Sequence, residues 1–415
     1  MRDAVRRAVP RAAGGPQGPV GAPSRGPAAA HPALALFRPG PRVVVGLMSG
    51  TSLDGVDAAV VRLDGSGAGL SVEPLGFVSE PYDGALRAAL AACVEAGTSD
   101  VRLVSQLHAR LGERFADVAR RALDAAGVGA PDLVGSHGQT VQHVPEPEDC
   151  AGVPTRSTLQ IGSPAVIAAR LGAPVVADFR AGDLALGGQA APLAPYLDGV
   201  LFGSETETRV LLNLGGIANL TVLPPGGRAG VAFDTGPANM VLDALALRLT
   251  GRPYDEGGAL AAAGTPDRDL LDRLVAETPF LHLPPPKSTG REDFGAAFVD
   301  GLAGRGGRPE DLLATAAAFT ARTVAGAIRR FVDPAPARVV ASGGGVHNAA
   351  LMAALAEALA PVPLETTAAH GLDPDAKEAV LFAVLAHEWA EGVRTGLPAV
   401  TGASRAAFQG SLTLP

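Results

Sequence analysis

The chain of 415 residues has little cysteine, few aromatic side chains and little charge. Its two cysteines cannot form a disulfide framework or a metal cluster, which favours a reducing, cytoplasmic location. No apolar run approaches the roughly 18–20 residues of a membrane span, so a membrane is not an expected partner. The net charge of −8, without a basic stripe beyond the N-terminus, makes nucleic acid an unexpected partner as well. With 47% hydrophobic residues, the chain is globular and long enough for two lobes.

The first 40 residues differ from the rest in composition. They contain six arginines against one acid, many prolines and glycines, and no apolar segment typical of a secretory signal. We expect residues 1–40 to be a disordered extension or the product of a misassigned start codon. A functional basic arm is the alternative.

A glycine-rich turn between two apolar runs is the most informative feature of the sequence. It consists of Gly50, Thr51, Ser52, Leu53, Asp54, Gly55, Val56 and Asp57. The pattern predicts a β-hairpin whose amides and hydroxyls suit phosphate oxygens and whose carboxylates suit Mg²⁺. An ordinary hairpin turn closed by Asp54 and Gly55 is the alternative.

Two further glycine turns follow strand-like runs later in the chain. They contain Gly215 and Gly216, and then Gly343, Gly344 and Gly345. Three such turns in one chain predict a nucleotide held between two related lobes.

Both halves of the chain open with three predicted strands and continue with helices. This internal duplication predicts two α/β lobes with a cleft between them, the first over residues 41–205 and the second over 206–376. The last predicted helix, Lys377–Trp389, is apolar on most faces. We therefore expect it to be buried, with segment 377–415 packed back on the first lobe.

Helical spacing also predicts two helices after the first three strands. The first covers Asp83–Ala96 and ends at Gly97, and the second is capped by Ser99. Further on, Asp132–Gly135 reads as a short strand, and the proline-rich, acidic stretch Glu146–Val153 reads as a loop.

Several polar residues follow predicted strands, where α/β proteins bind ligands. Asp234 precedes a helix and could accept a proton, bind a metal or cap that helix. Arg180 and Asp183 could contact a ligand or form a structural ion pair. His137 stands alone, and a lone histidine is more often structural than catalytic. The polar stretch that starts at Lys287 could contact substrate or lie on the surface.

Taken together, these motifs resemble those of the anhydro-N-acetylmuramic acid kinases. The matching stretches run in the family's order from about Val43 to Leu412: GLMSGTSLDGVD, GSHGQT, QIG, VVADFRAGDLALGGQ, LNLGGIANL, AFDTGPAN, PKSTGRE, SGGGVHN and KEAVLFAVLA. The resemblance implies an α/β fold of two actin-like, ribonuclease H-like ATPase lobes that bind ATP and Mg²⁺ between them. It is also compatible with a homodimer.

The reaction implied by the resemblance couples two events. Water opens the 1,6-anhydro bridge of the sugar at C1, and the freed O6 takes the γ-phosphate of ATP to give N-acetylmuramate 6-phosphate. The resemblance assigns the catalytic base to Asp234. It implies sugar contacts from Arg180 and Glu378, and we add His137 of the GSHGQT motif to the expected substrate-binding residues.

The glycine turns acquire roles from the same match. Residues 50–57 correspond to the first phosphate loop, residues 214–219 to the second, and residues 343–345 to the adenosine side. Asp54 and Asp57 are the expected carboxylates for Mg²⁺, an inference from their position alone.

Two alanines stand where the family usually has glycine, at Ala190 and Ala238. Each adds a methyl group, which affects substrate fit if the backbone has positive φ or touches the sugar. A kinase of another 1,6-anhydro sugar, such as levoglucosan, is therefore one alternative. A non-catalytic nucleotide-binding sensor is another; it predicts the loss of a key acid, whereas Asp54, Asp57 and Asp234 are all present.

Overall fold

The computed structural model describes residues 36, 38, 40–94, 99–227 and 229–415. Most of the predicted N-terminal extension and the helix stop predicted at Gly97 lie outside the described residues. Within these ranges, no helix is both long enough and apolar enough to cross a membrane.

The described residues form helices and strands in an order that repeats between the two halves of the chain. In the first half these are β1 (Arg42–Ser49), β2 (Gly55–Asp64), β3 (Ser71–Pro81), α1 (Gly84–Val94), α2 (Val101–Ala125), β4 (Leu133–Cys150), β5 (Val153–Ile161), α3 (Pro164–Leu171), β6 (Val175–Ala177), α4 (Ala181–Ala185) and α5 (Ala194–Phe202). The second half contains β7 (Arg209–Leu214), β8 (Ile217–Leu223), β9 (Val231–Pro237), α6 (Asn239–Thr250), α7 (Ala259–Ala262), α8 (Arg268–Glu277), α9 (Arg291–Phe294), α10 (Ala296–Ala303), α11 (Pro309–Phe331), β10 (Arg338–Ser342), α12 (Ala349–Leu359) and β11 (Leu364–Thr366). The chain ends with α13 (Lys377–Ala390), α14 (Pro398–Thr401) and β12 (Ser411–Thr413).

The two sheets have the same strand order. The first runs β3-β2-β1-β4-β6, with antiparallel pairs among β1–β3 and parallel pairs from β1 to β4 and β4 to β6. The second runs β9-β8-β7-β10-β11 with the same pattern of directions. In the first sheet, β5 pairs with β4, and β12 adds to β6. The repeated order is that of two actin-like lobes, so the predicted fold class is confirmed.

This topology places the chemically interesting turns at defined sheet edges. The parallel strands β1, β4 and β6 all end at one edge of the first sheet, and β7 and β10 end at one edge of the second. Ligands of α/β proteins bind at such carboxyl ends. All three glycine turns directly follow strands of this set.

Helix α13 is buried against the first sheet, as its apolar sequence predicts. A side chain at Gly46 would collide with the Ala379 carbonyl, and one at Gly135 would collide with the Phe382 carbonyl. Glycine on β1 and on β4 therefore lets this helix lie closer to the strands than any other residue would allow.

The lobes share part of their hydrophobic core. Leu211 and Val340, from β7 and β10 of the second sheet, lie in one cluster with Val380 and Val384 of α13. An ion pair beside this cluster joins α13 to α5: Lys377 Nζ lies 2.6 Å from Asp198 Oδ1, and both side chains are buried. The contact is ionic and not a directed hydrogen bond.

Two local predictions differ from the structure. Asp100, not Ser99, caps α2, because its carboxylate accepts the amide hydrogen of Leu103. The loop predicted at Glu146–Val153 is wrong, since the strand predicted at Asp132–Gly135 continues as β4 to Cys150 and pairs with β5.

The prolines of this stretch explain that error. Pro145 and Pro147 fall where the pairing register shifts, and proline is tolerated at such irregular positions. Ala151 and Gly152 close the hairpin with φ of 54° and 81°, the left-handed pair that a tight hairpin turn requires.

Removal of the Lys377 ammonium should lower the stability of the fold. In the variant Lys377→Met, the Asp198 carboxylate stays buried without its cation, and the free energy of unfolding should fall by about 3 kcal/mol or more. The double variant Lys377→Met/Asp198→Leu should recover most of that loss, because no buried charge remains. Chemical denaturation of the three proteins measures both effects, and equal stability of wild type and Lys377→Met would contradict the prediction.

Candidate active site

Two buried polar side chains, Ser49 and Gln139, support the turn between β1 and β2. Ser49 Oγ lies 2.7 Å from Gln139 Oε1, and Gln139 Nε2 donates to the Gly50 carbonyl at 3.0 Å. Thr51 and Ser52 are exposed at the tip of the turn. The hydroxyls and amides of this turn are therefore available to a ligand, as the phosphate-loop prediction requires.

Asp57 lies half-buried on β2 at the end of this turn. Burial raises the pKa of its carboxyl to about 6, and the negative charges of Asp54, Glu378 and Asp375 add to the effect. A hydrogen bond from Ser79 opposes it. A cation bound beside Asp57 would relieve this repulsion.

The donor set near Asp57 fits Mg²⁺ better than a metal that needs a protein cage. Among the described residues, no group of three or more acids, histidines or cysteines could hold a metal ion. Mg²⁺ commonly uses one or two carboxylates and completes its shell with water and substrate phosphates. Asp54 and Asp57 can supply those carboxylates.

The second and third glycine turns lie against each other. A Cβ atom at Gly343 would lie 2.7 Å from Asn213 Oδ1, and one at Gly345 would lie 2.6 Å from Leu214 Cβ. Gly344 has no such close neighbour. Close packing explains why residues 343 and 345 are glycines. No such close contact constrains Gly344.

Asp375 connects the third turn with the first. Its carboxylate accepts a hydrogen bond from His347 Nε2 at 2.8 Å, and His347 follows the glycines of the third turn. The charge of Asp375 also raises the pKa of Asp57. Asp375 therefore contacts the third turn and lies near enough to Asp57 for its charge to act on the first.

Asp234 lies on β9 and is held by the segment 287–289. Its Oδ2 accepts the amide hydrogen of Thr289 at 2.9 Å, and its own amide donates to the Lys287 carbonyl at 3.0 Å. Ala238, not Asp234, occupies the N-cap position of α6, so the helix-cap interpretation is wrong. Among the described residues, no protein group donates to Asp234 Oδ1.

The environment of Asp234 suits a proton acceptor. Burial raises the pKa of its carboxyl to about 6, and Glu292 adds a smaller effect in the same direction. The hydrogen bond from Thr289 and the charge of Lys287 oppose the shift. A carboxylate with a pKa near neutrality and one free oxygen can accept a proton from a bound water.

The side chain of Lys287 is buried and does not lie on the surface. Its ammonium is buried, donates to the carbonyls of Phe280 and Leu281, and lies 4.5 Å from the centre of the Phe280 ring. The backbone of this stretch, and not the lysine side chain, contacts Asp234.

Arg180 follows β6 and is held at two points. Its Nε lies 3.0 Å from His137 Nε2, and its Nη1 lies 2.6 Å from the Ala190 carbonyl oxygen. Burial lowers the pKa of Arg180 to about 10, and the charge of Glu378 opposes that shift. Arg180 and Glu378 are therefore close enough to influence each other's ionisation.

Glu378 begins the buried helix α13, but solvent still reaches its side chain. The surrounding protein raises the pKa of its carboxyl, and Asp54 adds to that effect, whereas Lys377 and Arg180 lower it. Glu378 therefore responds to the charges of both Arg180 and Asp54 of the first glycine turn. The contacts of Asp234, in contrast, come from residues 287–292.

His137 is almost fully buried, and both of its ring nitrogens contact protein atoms. Burial lowers the pKa of its imidazole to about 3, and the charge of Arg180 lowers it further. The sequence predicts that His137 binds substrate. In the structure its ring contacts the Arg180 side chain.

The two alanines that replace family glycines are both buried. Ala190 has φ of 58°, the left-handed conformation that glycine adopts most easily, whereas Ala238 has φ of −132°. Neither methyl group is accessible at the surface. The replacement at Ala190 therefore constrains a left-handed backbone position, whereas Ala238 has a negative φ.

Sequence reasoning missed Gln139 and left the role of Asp183 open. Gln139 lies within the GSHGQT motif, which was a usable signal. Asp183 is fully buried and accepts hydrogen bonds from the Ala190 amide and from the Thr401 hydroxyl. The partner at Thr401 is more than two hundred residues away in the chain, so no local pattern could have revealed it.

Two actin-like lobes with glycine turns after the strand ends form the architecture expected of a sugar kinase, and the family match defines the protein as one. The family model described as "Anhydro-N-acetylmuramic acid kinase" matches residues 42–415. The chain belongs to this family.

Individual relatives agree with the family match. An anhydro-N-acetylmuramic acid kinase of Salinibacter ruber is 54% identical over 92% of this chain and 98% of its own length. The enzyme of that name from Streptomyces coelicolor is 44% identical over 89% of this chain and 93% of its own length. Among solved structures, component A of (R)-2-hydroxyglutaryl-CoA dehydratase from Acidaminococcus fermentans covers 84% of this chain and 98% of its own, with 14% identity and a TM-score of 0.43.

The raised pKa of Asp234 predicts an acid limb in the pH profile. If its ionised carboxylate accepts a proton during turnover, kcat/KM should fall as the pH decreases through about 6. If Asp57 holds Mg²⁺, a saturating concentration of the ion keeps its carboxylate ionised, so that this second group does not set the limb. Asp234→Glu should move the limb.

Asp243 on α6 provides a matched control. Burial raises the pKa of its carboxyl to about 6 as well. Asp243→Asn should leave the acid limb in place, and a limb that moved with this variant but not with Asp234→Glu would contradict the assignment.

Proposed function

We propose that the protein is an ATP- and Mg²⁺-dependent kinase of 1,6-anhydro-N-acetylmuramic acid that yields N-acetylmuramate 6-phosphate. Family membership supports the class of reaction, and the names of the relatives support the sugar. The single observation that carries the mechanism is the hydrogen bonding of Asp234: Oδ2 accepts the Thr289 amide, while no group among the described residues donates to Oδ1.

The proposed reaction starts at the anomeric carbon. Asp234 Oδ1 accepts a proton from a water molecule as the water oxygen bonds to C1 and the bond from C1 to O6 breaks. O6 then bonds to the γ-phosphorus of ATP, and the bond from that phosphorus to the β-phosphate oxygen breaks to release ADP. The amide of Thr289 keeps Oδ2 occupied, so the carboxylate presents one defined oxygen to the water.

The phosphates of ATP are proposed to lie on the first two glycine turns. In residues 50–57, exposed Thr51 and Ser52 offer hydroxyls and amides, and Gly215 and Gly216 add a second turn at the end of β7. Adenosine is assigned to the side of residues 343–345, where Gly344 leaves open space.

Asp54 and Asp57 are the residues proposed to hold Mg²⁺. When bound, the ion supplies positive charge that offsets the negative charge developing on the transferred phosphoryl group. Asp57 has the environment for this role, because burial and then the neighbouring carboxylates raise its pKa, and a cation would stabilise its ionised form.

Arg180 is the proposed partner of the carboxylate on the sugar's lactyl group, with Glu378 beside it. A guanidinium fixed in position binds a carboxylate through two parallel hydrogen bonds. The buried methyl groups of Ala190 and Ala238 give no reason to prefer a smaller sugar such as levoglucosan. All the candidate acids are present, which argues against a non-catalytic sensor.

The proposal also extends to the setting of the reaction. We propose that the enzyme works in the cytoplasm, in recycling of cell-wall amino sugars, without a nucleic-acid or membrane partner and as a homodimer. The lobes are proposed to comprise residues 41–205 and 206–376, with the C-terminal segment packed on the first.

The test is release of ADP with ATP, Mg²⁺ and either 1,6-anhydro-N-acetylmuramic acid or levoglucosan. We expect turnover with the muramyl sugar, and a loss of about 100-fold or more in kcat for Asp234→Asn, the range typical of a general base. Asp243→Asn should retain wild-type turnover.

Other results would contradict the proposal. Turnover with levoglucosan alone would change the substrate, and ATP binding without turnover of either sugar would favour the sensor. Full activity of Asp234→Asn would remove Asp234 from the mechanism.

A further inference from the structure

The hydrogen bonds of His137 fix the tautomer of its ring. Nδ1 lies 2.8 Å from the Gly138 carbonyl oxygen, which can only accept a hydrogen bond, so Nδ1 carries the proton. Nε2 therefore has a free lone pair and accepts the Nε hydrogen of Arg180 at 3.0 Å. Phe382 of α13 packs against the imidazole, with ring centres 4.6 Å apart, and holds the ring in place.

A second support holds the other side of the guanidinium. Arg180 Nη1 donates to the Ala190 carbonyl, and the Ala190 amide donates to Asp183 Oδ2 at 2.8 Å. The other oxygen of Asp183 accepts the Thr401 hydroxyl at 2.9 Å, and the Gln189 amide donates to the Thr401 carbonyl. Asp183 thus connects the loop before Ala190 with the C-terminal segment. It thereby fixes the Ala190 carbonyl, which accepts the hydrogen bond from Arg180.

These two supports use only part of the guanidinium. Arginine has five N–H groups, and His137 and the Ala190 carbonyl occupy two of them among the described residues. Three N–H groups therefore remain for an anionic partner, in a plane that the two supports define.

We propose that His137 and Asp183 are positioning residues that orient Arg180 toward a carboxylate on the sugar. They would thereby determine selection of an acidic anhydro sugar over a neutral one. This inference rests on the proposed function and specifies how the same site distinguishes its substrates.

The kinetic test compares two sugars, 1,6-anhydro-N-acetylmuramic acid and 1,6-anhydro-N-acetylglucosamine, which lacks the lactyl carboxylate. In His137→Leu, the KM for the acidic sugar should rise about tenfold, while kcat and the KM for ATP change less than about twofold, since one charge-assisted contact is misaligned. The kinetics with the neutral sugar should not change.

Two further variants separate positioning from folding. His137→Gln keeps an oxygen acceptor near the position of Nε2 and should restore most of the lost affinity. Asp183→Leu, of similar size, loses the acceptor for the Ala190 amide and should reproduce the His137→Leu effect from the second support. His387→Gln is the matched control, because His387 is a buried histidine whose ring contacts Gly65 and Arg42 instead.

Several outcomes would overturn the inference. An equal loss with both sugars would show a general structural role, and a change in the KM for ATP alone would assign Arg180 to a phosphate. Failure of His137→Gln to improve on His137→Leu would also count against it.

A spectroscopic measurement decides the inference even if the sugar assignment fails. Nitrogen NMR of labelled histidine should find Nδ1 protonated and Nε2 unprotonated in His137, and the Arg180 Nε hydrogen should exchange slowly. In His137→Leu that hydrogen should exchange at the rate of a free arginine. The opposite tautomer, or fast exchange in the wild type, would refute the positioning role, whereas wild-type inactivity on both sugars would refute only the proposed function.

Discussion

The close approach of α13 to the first sheet is the constraint on which the site depends. The backbone of α13 occupies the space that side chains at positions 46 and 135 would need. Its first turn delivers Glu378 to the strand ends, and its next turn sets Phe382 against the His137 ring. One packing contact therefore positions residues that no strand of the sheet carries itself.

Two aspartates with similar pKa values have neighbours that suit them to different tasks. Asp57 is surrounded by other carboxylates, so an added cation would stabilise its charge. Asp234 instead has Lys287 and the Thr289 amide nearby, which already stabilise its charge and leave one oxygen free for a proton. The environment, and not the residue type, separates a metal-binding carboxylate from a proton acceptor.

Much of the fold could be predicted from the sequence because it depends on local patterns. Alternating apolar runs and glycine turns revealed the repeated strands, and the apolar faces of Lys377–Trp389 revealed a buried helix. The hairpin of β4 and β5 could not be predicted, since Pro145 and Pro147 normally interrupt strands. The candidate site divides in the same way. Its exposed glycine turn could be predicted from the sequence. The groups that hold Arg180 could not, because they depend on a hydrogen bond from Thr401 and on the tautomer of His137.

The shared core has a consequence for how the halves can rearrange. Leu211 and Val340 of the second sheet lie in the same cluster as the apolar face of α13, which packs on the first. Each half also has a core of its own, so this cluster is a third core at their junction. Any change in the arrangement of the two halves must therefore repack side chains that both of them contribute.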